Sequence, residues 1–533
     1  MMRIARLLAL AAMLVAGGCM DLDVTNPNEP DRERALSDPA DVEAIISTSF
    51  REVFLNSQDN YPNLSLAAMA DNVTGGFYDY SVHDLSTEPR SAWNNSSLNT
   101  RSGVNSDPWL QLYRAISSVN DGLGAINRGL RILEIAPPDT IDHTPRARAF
   151  AKLVQGIAFG YLATHFDQAI IVTEYTDLEE LDPTEYAPYQ AVLDTAIWAL
   201  DEAIEIAAVN DFETPAATDW VNGMALTNEE VVQIANTFVA RFLAYTPRSW
   251  EDRAAVDWDE VLTRINAGIT RDLAPQGELD VWESNMRRLL ARVRARPGDH
   301  ARMDYMALGP GDVSGGFQTW FATPSADRMP FQMDSPDRRI QGPTGPDEAG
   351  TYFAYNLNSI WPSSRGTYRW SWYYYLRLGA GDTWYVGPQP WVTTAEMDLL
   401  KAEALIRLGR EDEAVPLINL TREASGELPP VTVDGPPDDP NCVPKQMAGG
   451  CGSLWDALVY EKNLEVAARE GAVSWWDGRG WGTLQQGSLI HFPVRGAELE
   501  NMGVPQYTFG GTGEGAAPAP QYNRCPVALP RCP

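Results

Sequence analysis

Histidine and cysteine are scarce in this chain, with five of each among 533 residues. His83, His143, His165, His300 and His491 are scattered, and none shows the paired helical spacing by which histidines hold a catalytic zinc. No glycine-flanked serine elbow and no phosphate-binding glycine loop occurs either, which removes the commonest hydrolase and nucleotide-binding signatures. Paired carboxylates such as Glu179-Glu180 and Asp438-Asp439 lie in polar, turn-rich stretches, where water solvates them. Basic residues are outnumbered, 41 against 72 acidic ones, giving a formal charge of −31. That balance argues against nucleic acid and anionic lipid surfaces as partners and favours a soluble body. Beyond the first residues no apolar run is long enough to cross a bilayer as a helix. We therefore expect no catalytic residue, no metal and no cofactor.

The beginning of the chain has a different character. Arg3 and Arg6 precede an apolar core from Leu7 to Val15, too short to span a membrane, and Ala16-Gly17-Gly18-Cys19 follows as a lipobox-like cleavage site. Residues 1–18 read as a lipoprotein signal peptide, and Cys19 as the acylated, palmitate-bearing first residue of the mature chain. Residues 19–39 carry two prolines and turn-forming asparagines among Asp21 to Pro30, which suits an extended tether rather than a helix. The other cysteines, Cys442, Cys451, Cys525 and Cys532, are even in number and fall outside predicted helices. Three pairings are formally possible. The local pairs Cys442–Cys451 and Cys525–Cys532 need the least rearrangement of the chain, and their spacing is unlike a four-cysteine zinc knuckle.

Helical periodicity dominates what lies between. It predicts helices over 41–54, 109–133, 145–165, 186–208, 228–245 and 258–269. Further on it predicts helices over 394–409, 410–422 and 454–470. The 394–409 helix has Thr394 as N-cap, Gly409 as its stop and a narrow polar strip of Glu396, Glu403, Arg407 and Arg410, and, being apolar on most sides, it is expected to pack between neighbours. Glu403 and Arg407 stand one turn apart and can pair. Helix pairs rich in alanine, without an exact period, indicate degenerate tetratricopeptide-like units. The expected fold is mainly α: a helical frame over about 40–290 and 393–482, with loop-rich, aromatic-rich parts over about 70–107, 297–390 and 483–533, forming a single body.

Specific residues in this frame resemble the SusD/RagB family. Ala402-Glu403-Ala404, Arg407-Leu408-Gly409, Glu413-Ala414 and Asn419-x-x-Arg422 look like one family run. Glu461, Glu465, Glu470-Gly471 and Trp476-Asp477-x-Arg479-x-Trp481-Gly482 look like the helix after it and its end. The start Cys19-x-Asp21-Leu22-Asp23-Val24-Thr25-Asn26-Pro27 is similar to that family's lipoprotein start, and Phe166 to Thr173 stands where the family has a conserved-looking segment. The sequence departs from the pattern at Lys462, where arginine is usual, at Glu423, and at Gly478 and Gly480.

The resemblance implies a lipid-anchored receptor in the outer membrane, facing the cell exterior. It would capture oligosaccharide or peptide and pass it to a TonB-dependent barrel, with no bond broken. A surface glycoside hydrolase and a tetratricopeptide-like assembly scaffold are the other functions to weigh. Ligand contacts are expected from the loops, because an aromatic face takes the C–H groups of a sugar ring while amides bind its hydroxyls. The residues fitting that description are Tyr78, Tyr80, Trp93, Asn94, Asn95 and Trp320. The aromatic run Trp370 to Tyr375 reads instead as a buried, strand-like segment.

Overall fold

The computed structural model describes residues 32–75, 81–291, 301–324, 327–356, 371–377 and 385–512. Among them helix prevails, with twelve principal helices. They are α1 Pro39–Thr48, α2 Phe50–Gln58, α3 Asn60–Met69, α4 Gly103–Asn127, α5 Thr144–His165 and α6 Tyr189–Ala208. The second set is α7 Asn228–Tyr245, α8 Trp258–Asn266, α9 Thr394–Arg407, α10 Glu411–Ala424, α11 Leu454–Glu465 and α12 Gly471–Gly480. Eight short strands make four two-stranded antiparallel ladders: β1 Val73–Gly75 with β6 Ala301–Met303, β2 Leu133–Ala136 with β3 Asp139–Asp142, β4 Gln168–Ala169 with β5 Ala187–Pro188, and β7 Phe353–Tyr355 with β8 Tyr373–Tyr375.

Helix α5 is the mast of the frame. Nearly every residue from Ala149 to His165 is buried, as expected of a helix without a polar face. It packs against α4, α6 and α7. At Gly160 a Cβ would lie 2.0 Å from the Phe242 ring, so only glycine lets α7 approach this closely. The main apolar core gathers α1 to α7 with Trp391, Trp475 and Trp476. A smaller core of Leu399, Leu405, Ala414, Ile418, Ala457 and Leu458 joins α9, α10 and α11. The aromatic residues between α8 and α9 form a third, where Tyr305, Trp320, Phe353, Tyr373 and Tyr375 pack together. Residues 373–375 thus form a buried strand, as their composition suggested.

Several boundaries differ from the periodicity, each for a local reason. The 41–54 helix divides at Ser49, whose hydroxyl donates to the Ile46 carbonyl at 2.5 Å, a bond that competes with the helical ladder. The 109–133 helix begins earlier, at Gly103, and stops at Asn127 because Gly129 turns to φ +104°; Leu133 then enters β2. The 454–470 helix ends at Glu465, and Ala468 at φ +56° turns the chain into α12. At the start of α9 the cap is Thr393, not Thr394: its hydroxyl accepts from the Glu396 N–H at 3.1 Å.

Candidate functional site

Trp93 is 4 % exposed, and its ring meets Phe492 edge-on at 6.3 Å. Its backbone is held by the C-terminal stretch, since its N–H donates to the Phe509 carbonyl at 3.0 Å and Thr508 donates to its carbonyl at 2.5 Å. Asn95 is equally committed. Its amide donates to the Val494 and Tyr507 carbonyls, each at 2.9 Å, while its oxygen accepts from Asn105 and the Gly496 N–H, each at 3.0 Å. Asn94 is exposed, with its side-chain oxygen on the Ser96 N–H at 3.1 Å. Trp320 belongs to the separate aromatic core, 4.9 Å from Tyr305 and with Arg328 4.7 Å above its ring.

The predicted aromatic site therefore does not assemble among these residues. Trp93 and Trp320 plug two different cores, and Asn95 pins the 494–510 stretch to the loop. Of the expected residues here only Asn94 presents its side chain to solvent. Tyr78, Tyr80, Cys19, Cys525 and Cys532 lie outside the described residues. Cys442 and Cys451 are joined by a disulfide with a Cα–Cα distance of 5.7 Å.

Six of the residues that carried the resemblance, Glu403, Arg407, Glu461, Glu465, Glu470 and Asp477, meet in buried ionic nodes. Glu403 sits inside the protein, in keeping with a helix apolar on most sides and packed between its neighbours. Its two oxygens accept from Arg253 at 2.8 and 2.6 Å, and one also takes Arg407 at 2.9 Å and the Trp481 indole at 3.1 Å. Asp477 completes this node, 2.8 Å from Arg253 and 2.9 Å from the Lys462 ammonium. Lys462 thus fills the place where the family pattern has arginine and still makes an ion pair. A second node joins Arg241 to Glu396 at 2.9 Å and to Glu470 at 2.6 Å. In a third, Arg339 is shared by Asp337, Glu461 and Glu465 at 2.7, 2.5 and 3.1 Å.

Burial works against the Glu403 charge, but Arg253 first, then Arg407 and Lys462, hold its carboxyl well below the usual range. A carboxylate so fully hydrogen-bonded neither accepts a proton near neutrality nor faces a substrate. The network is a clamp between helices distant in sequence. The same holds for Arg248 and Arg479, which both donate to the Thr164 carbonyl at 2.8 Å and so close the C-terminus of α5.

A candidate ligand surface among the described residues lies elsewhere. A groove of about 870 Å³ runs between α4, the residues just before α1, and the segment after β4. Ile116, Val172 and Leu178 give it an apolar wall, and Asn120, Asp121 and Glu174 supply polar groups. Beneath it is a built polar floor. Lys152, fully buried, makes a 2.7 Å ion pair with Glu174 and stands 3.7 Å over the Trp198 ring. Gln155 donates to Glu174 at 2.9 Å and to Asn120 at 2.7 Å, and Asn120 donates on to the Val172 carbonyl at 2.8 Å. Burial lowers the Lys152 pKa despite the Glu174 carboxylate. Beside the groove Tyr175 is 64 % exposed, with its ring 6.3 Å from Trp198. Phe166 to Thr173 had been set apart in the sequence by its resemblance to the family, yet nothing in it showed that a groove would form beside it.

No family model matches the chain. Over 83 residues it is 45 % identical to the SusD-like protein P38 of Formosa agariphila, a stretch that is 16 % of this chain and 15 % of that protein. Solved structures match across almost the whole body. A SusD superfamily protein from Bacteroides vulgatus superposes with TM-score 0.53 at 13 % identity, over 87 % of this chain and 97 % of that one. One from Bacteroides thetaiotaomicron gives 0.52 at 14 % identity, over 88 % and 95 %. A SusD-like carbohydrate binding protein from Bacteroides fragilis gives 0.51 at 13 % identity, over 85 % and 88 %. The helical frame with its aromatic insertion is the SusD fold. By fold the chain is similar to SusD superfamily structures, and over one short stretch its sequence is similar to a SusD-like protein.

Proposed function

We propose that the protein is a surface-exposed, lipid-anchored substrate-binding protein of the outer membrane. It captures oligosaccharide or peptide nutrients and delivers them to a TonB-dependent barrel. The observation that supports this reading most is the near full-length likeness to SusD superfamily structures. Because the Bacteroides fragilis neighbour is described as carbohydrate binding, glycans are the first ligands to try. In this reading Cys19 carries the acyl chains, residues 19–39 are the tether, with the short helix Arg32–Ala35 within it, and the protein binds and hands over its cargo without breaking a bond.

The groove beside α4 is the ligand-contact surface in this proposal. Its volume falls within the range of small-ligand sites, and it pairs an apolar wall with a few fixed polar groups. Tyr175 offers an exposed aromatic face at its side, of the kind on which a sugar ring stacks.

Two measurements test the proposal. A glycan and peptide panel should give a saturable ligand, with affinity lowered by roughly 1–3 kcal/mol in Tyr175→Ala, a size taken from aromatic stacking on bases. A panel without any binder, or turnover of a panel member, sinks the receptor reading; unchanged affinity in Tyr175→Ala moves the site away from the groove. Membrane fractionation of Cys19→Ala should find the protein released, since a multiply acylated anchor is decisive. Continued sedimentation with outer membranes would rule out the lipid anchor.

A further inference from the structure

Two buried arginines where the turn after α11 meets β8 make no ion pair with a carboxylate among the described residues, although the charges of Glu465 and Asp272 reach Arg469. Arg287 is 1 % exposed and Arg469 5 % exposed, and neither makes an ion pair among the described residues. Arg287 spends its hydrogens on neutral acceptors. It donates to the Ala468 carbonyl at 2.8 Å, to the Gln389 side chain at 3.0 Å and to the Pro390 carbonyl. Those bonds hold the turn in which Ala468 adopts φ +56°. Arg469 is different: its Nε and one terminal nitrogen are buried without a hydrogen-bond partner among the described residues. The hydroxyl of Tyr375, a residue with no exposure, is also without a partner among the described residues.

Buried polar groups are normally satisfied, and a buried charge is normally paired. Arginine does not escape by releasing its proton. Burial, and after it the charge of Arg469, pulls the Arg287 guanidinium down to about 9, so the two cations repel each other. Tyr375 is the one group that eases both. Carboxylates are not lacking nearby, but Glu465 is taken by Arg339 and Arg377 at 3.1 and 2.8 Å.

We propose that Arg469 and Tyr375, with the charge of Arg287 beside them, form an internal binding site for a small monovalent anion of chloride size. Two N–H groups and one O–H are the donors offered. A tetrahedral oxyanion with four acceptor oxygens would leave most of its oxygens unmet in so enclosed a place, whereas a halide is satisfied by three donors. Bound there, the anion neutralises the surplus charge and ties together the helix Asn285–Ala291, β8 and the turn leading into α12. Its role is structural, and it does not depend on what the groove binds.

The test is thermal unfolding of the full chain in detergent at constant ionic strength, with sodium chloride replaced stepwise by sodium gluconate, an anion too large to be buried. The midpoint should rise saturably with chloride. That dependence should vanish in Arg469→Gln and weaken in Tyr375→Phe. Crystals soaked in bromide should show an anomalous peak between Arg469 and Tyr375, a readout that stands even where a variant fails to fold. Equal midpoints in the two salts, a chloride effect that survives in both variants, or a water in place of the bromide peak each overturn the proposal.

Discussion

Replacing Glu403 by glutamine removes one charge and almost no volume, so its effect measures the buried network directly. Three cations, Arg253, Arg407 and Lys462, surround this carboxylate, and among the described residues only Asp477 shares the work of balancing them. At about 4 Å and an effective dielectric near 20, each unit-charge pair is worth about 4 kcal/mol before desolvation is counted. The glutamine amide also turns donors towards Arg253 and Lys462, which are themselves donors. Breaking one side of a buried pair costs roughly 3–5 kcal/mol, and Glu403→Gln is expected to fall in that range. The assay is urea unfolding followed by tryptophan fluorescence.

Two companions make the result interpretable. Glu413→Gln breaks an ion pair of 2.7 Å with Arg410, but both side chains are largely exposed, so its midpoint should match the parent. Adding Lys462→Met to Glu403→Gln removes the surplus cation and should recover about 1–2 kcal/mol, the size of coupling found between residues in contact. A loss below about 1 kcal/mol in Glu403→Gln, or one no greater than in Glu413→Gln, would refute the claim that this network clamps the helices.

His165 is fully buried and its pKa is pushed down to about 3, by burial first and then by Arg479 and Arg248, against its 2.8 Å bond to the Tyr161 carbonyl. The folded state keeps it neutral while the unfolded chain protonates near pH 6.5, so stability is lost as pH falls below that value, by roughly 2 kcal/mol at pH 5. His165→Gln should flatten this slope in unfolding measured from pH 7 to 5, and an unchanged slope would contradict the assignment. Trp93→Ala should destabilise the fold by about 3–5 kcal/mol and leave ligand affinity unchanged; a weakened affinity with an unmoved melting point would return Trp93 to the binding surface. Serine at both Cys442 and Cys451, a pair nine residues apart, should cost at most about 2.5 kcal/mol by loop-closure entropy, with proteolysis rates rising in that loop first. A global collapse of the fold in that variant would show the bond to hold more than its own loop.

The helical frame was legible because periodicity is local. The helices over 145–165 and 228–245 begin and end within a residue of their periodicity, and Glu403 does pair with Arg407 one turn away, at 2.9 Å. Burial of the charged residues was not legible. Whether Glu403 faces water or Arg253 depends on a partner 150 positions earlier in the chain. Spacing within α9 carries no trace of it. Trp93 illustrates the same limit for aromatics: glycine, serine and asparagine around it suggested an open loop, but the Phe509 carbonyl and Thr508 close over its backbone from more than 400 residues away. The groove was invisible for a related reason, since Arg32 and Asp121, 89 positions apart, meet only in the folded molecule.

The clamp and the groove are linked through α5. Its buried Lys152 and Gln155 carry the polar floor under the groove, and its C-terminal carbonyls are held by Arg248 and Arg479. Arg479 lies on α12, two residues from Asp477, so the ionic node at Glu403 and the end of α5 share one short helix. A groove whose floor hangs on a helix fixed in this way needs no rigidity from its own loops. The exposed segment with Tyr175 and Leu178 is then free to vary in sequence without loosening the frame beneath it. That division explains why many of the residues most like the family are buried and ionic, while Tyr175 and Leu178 fall outside the stretches that resemble it.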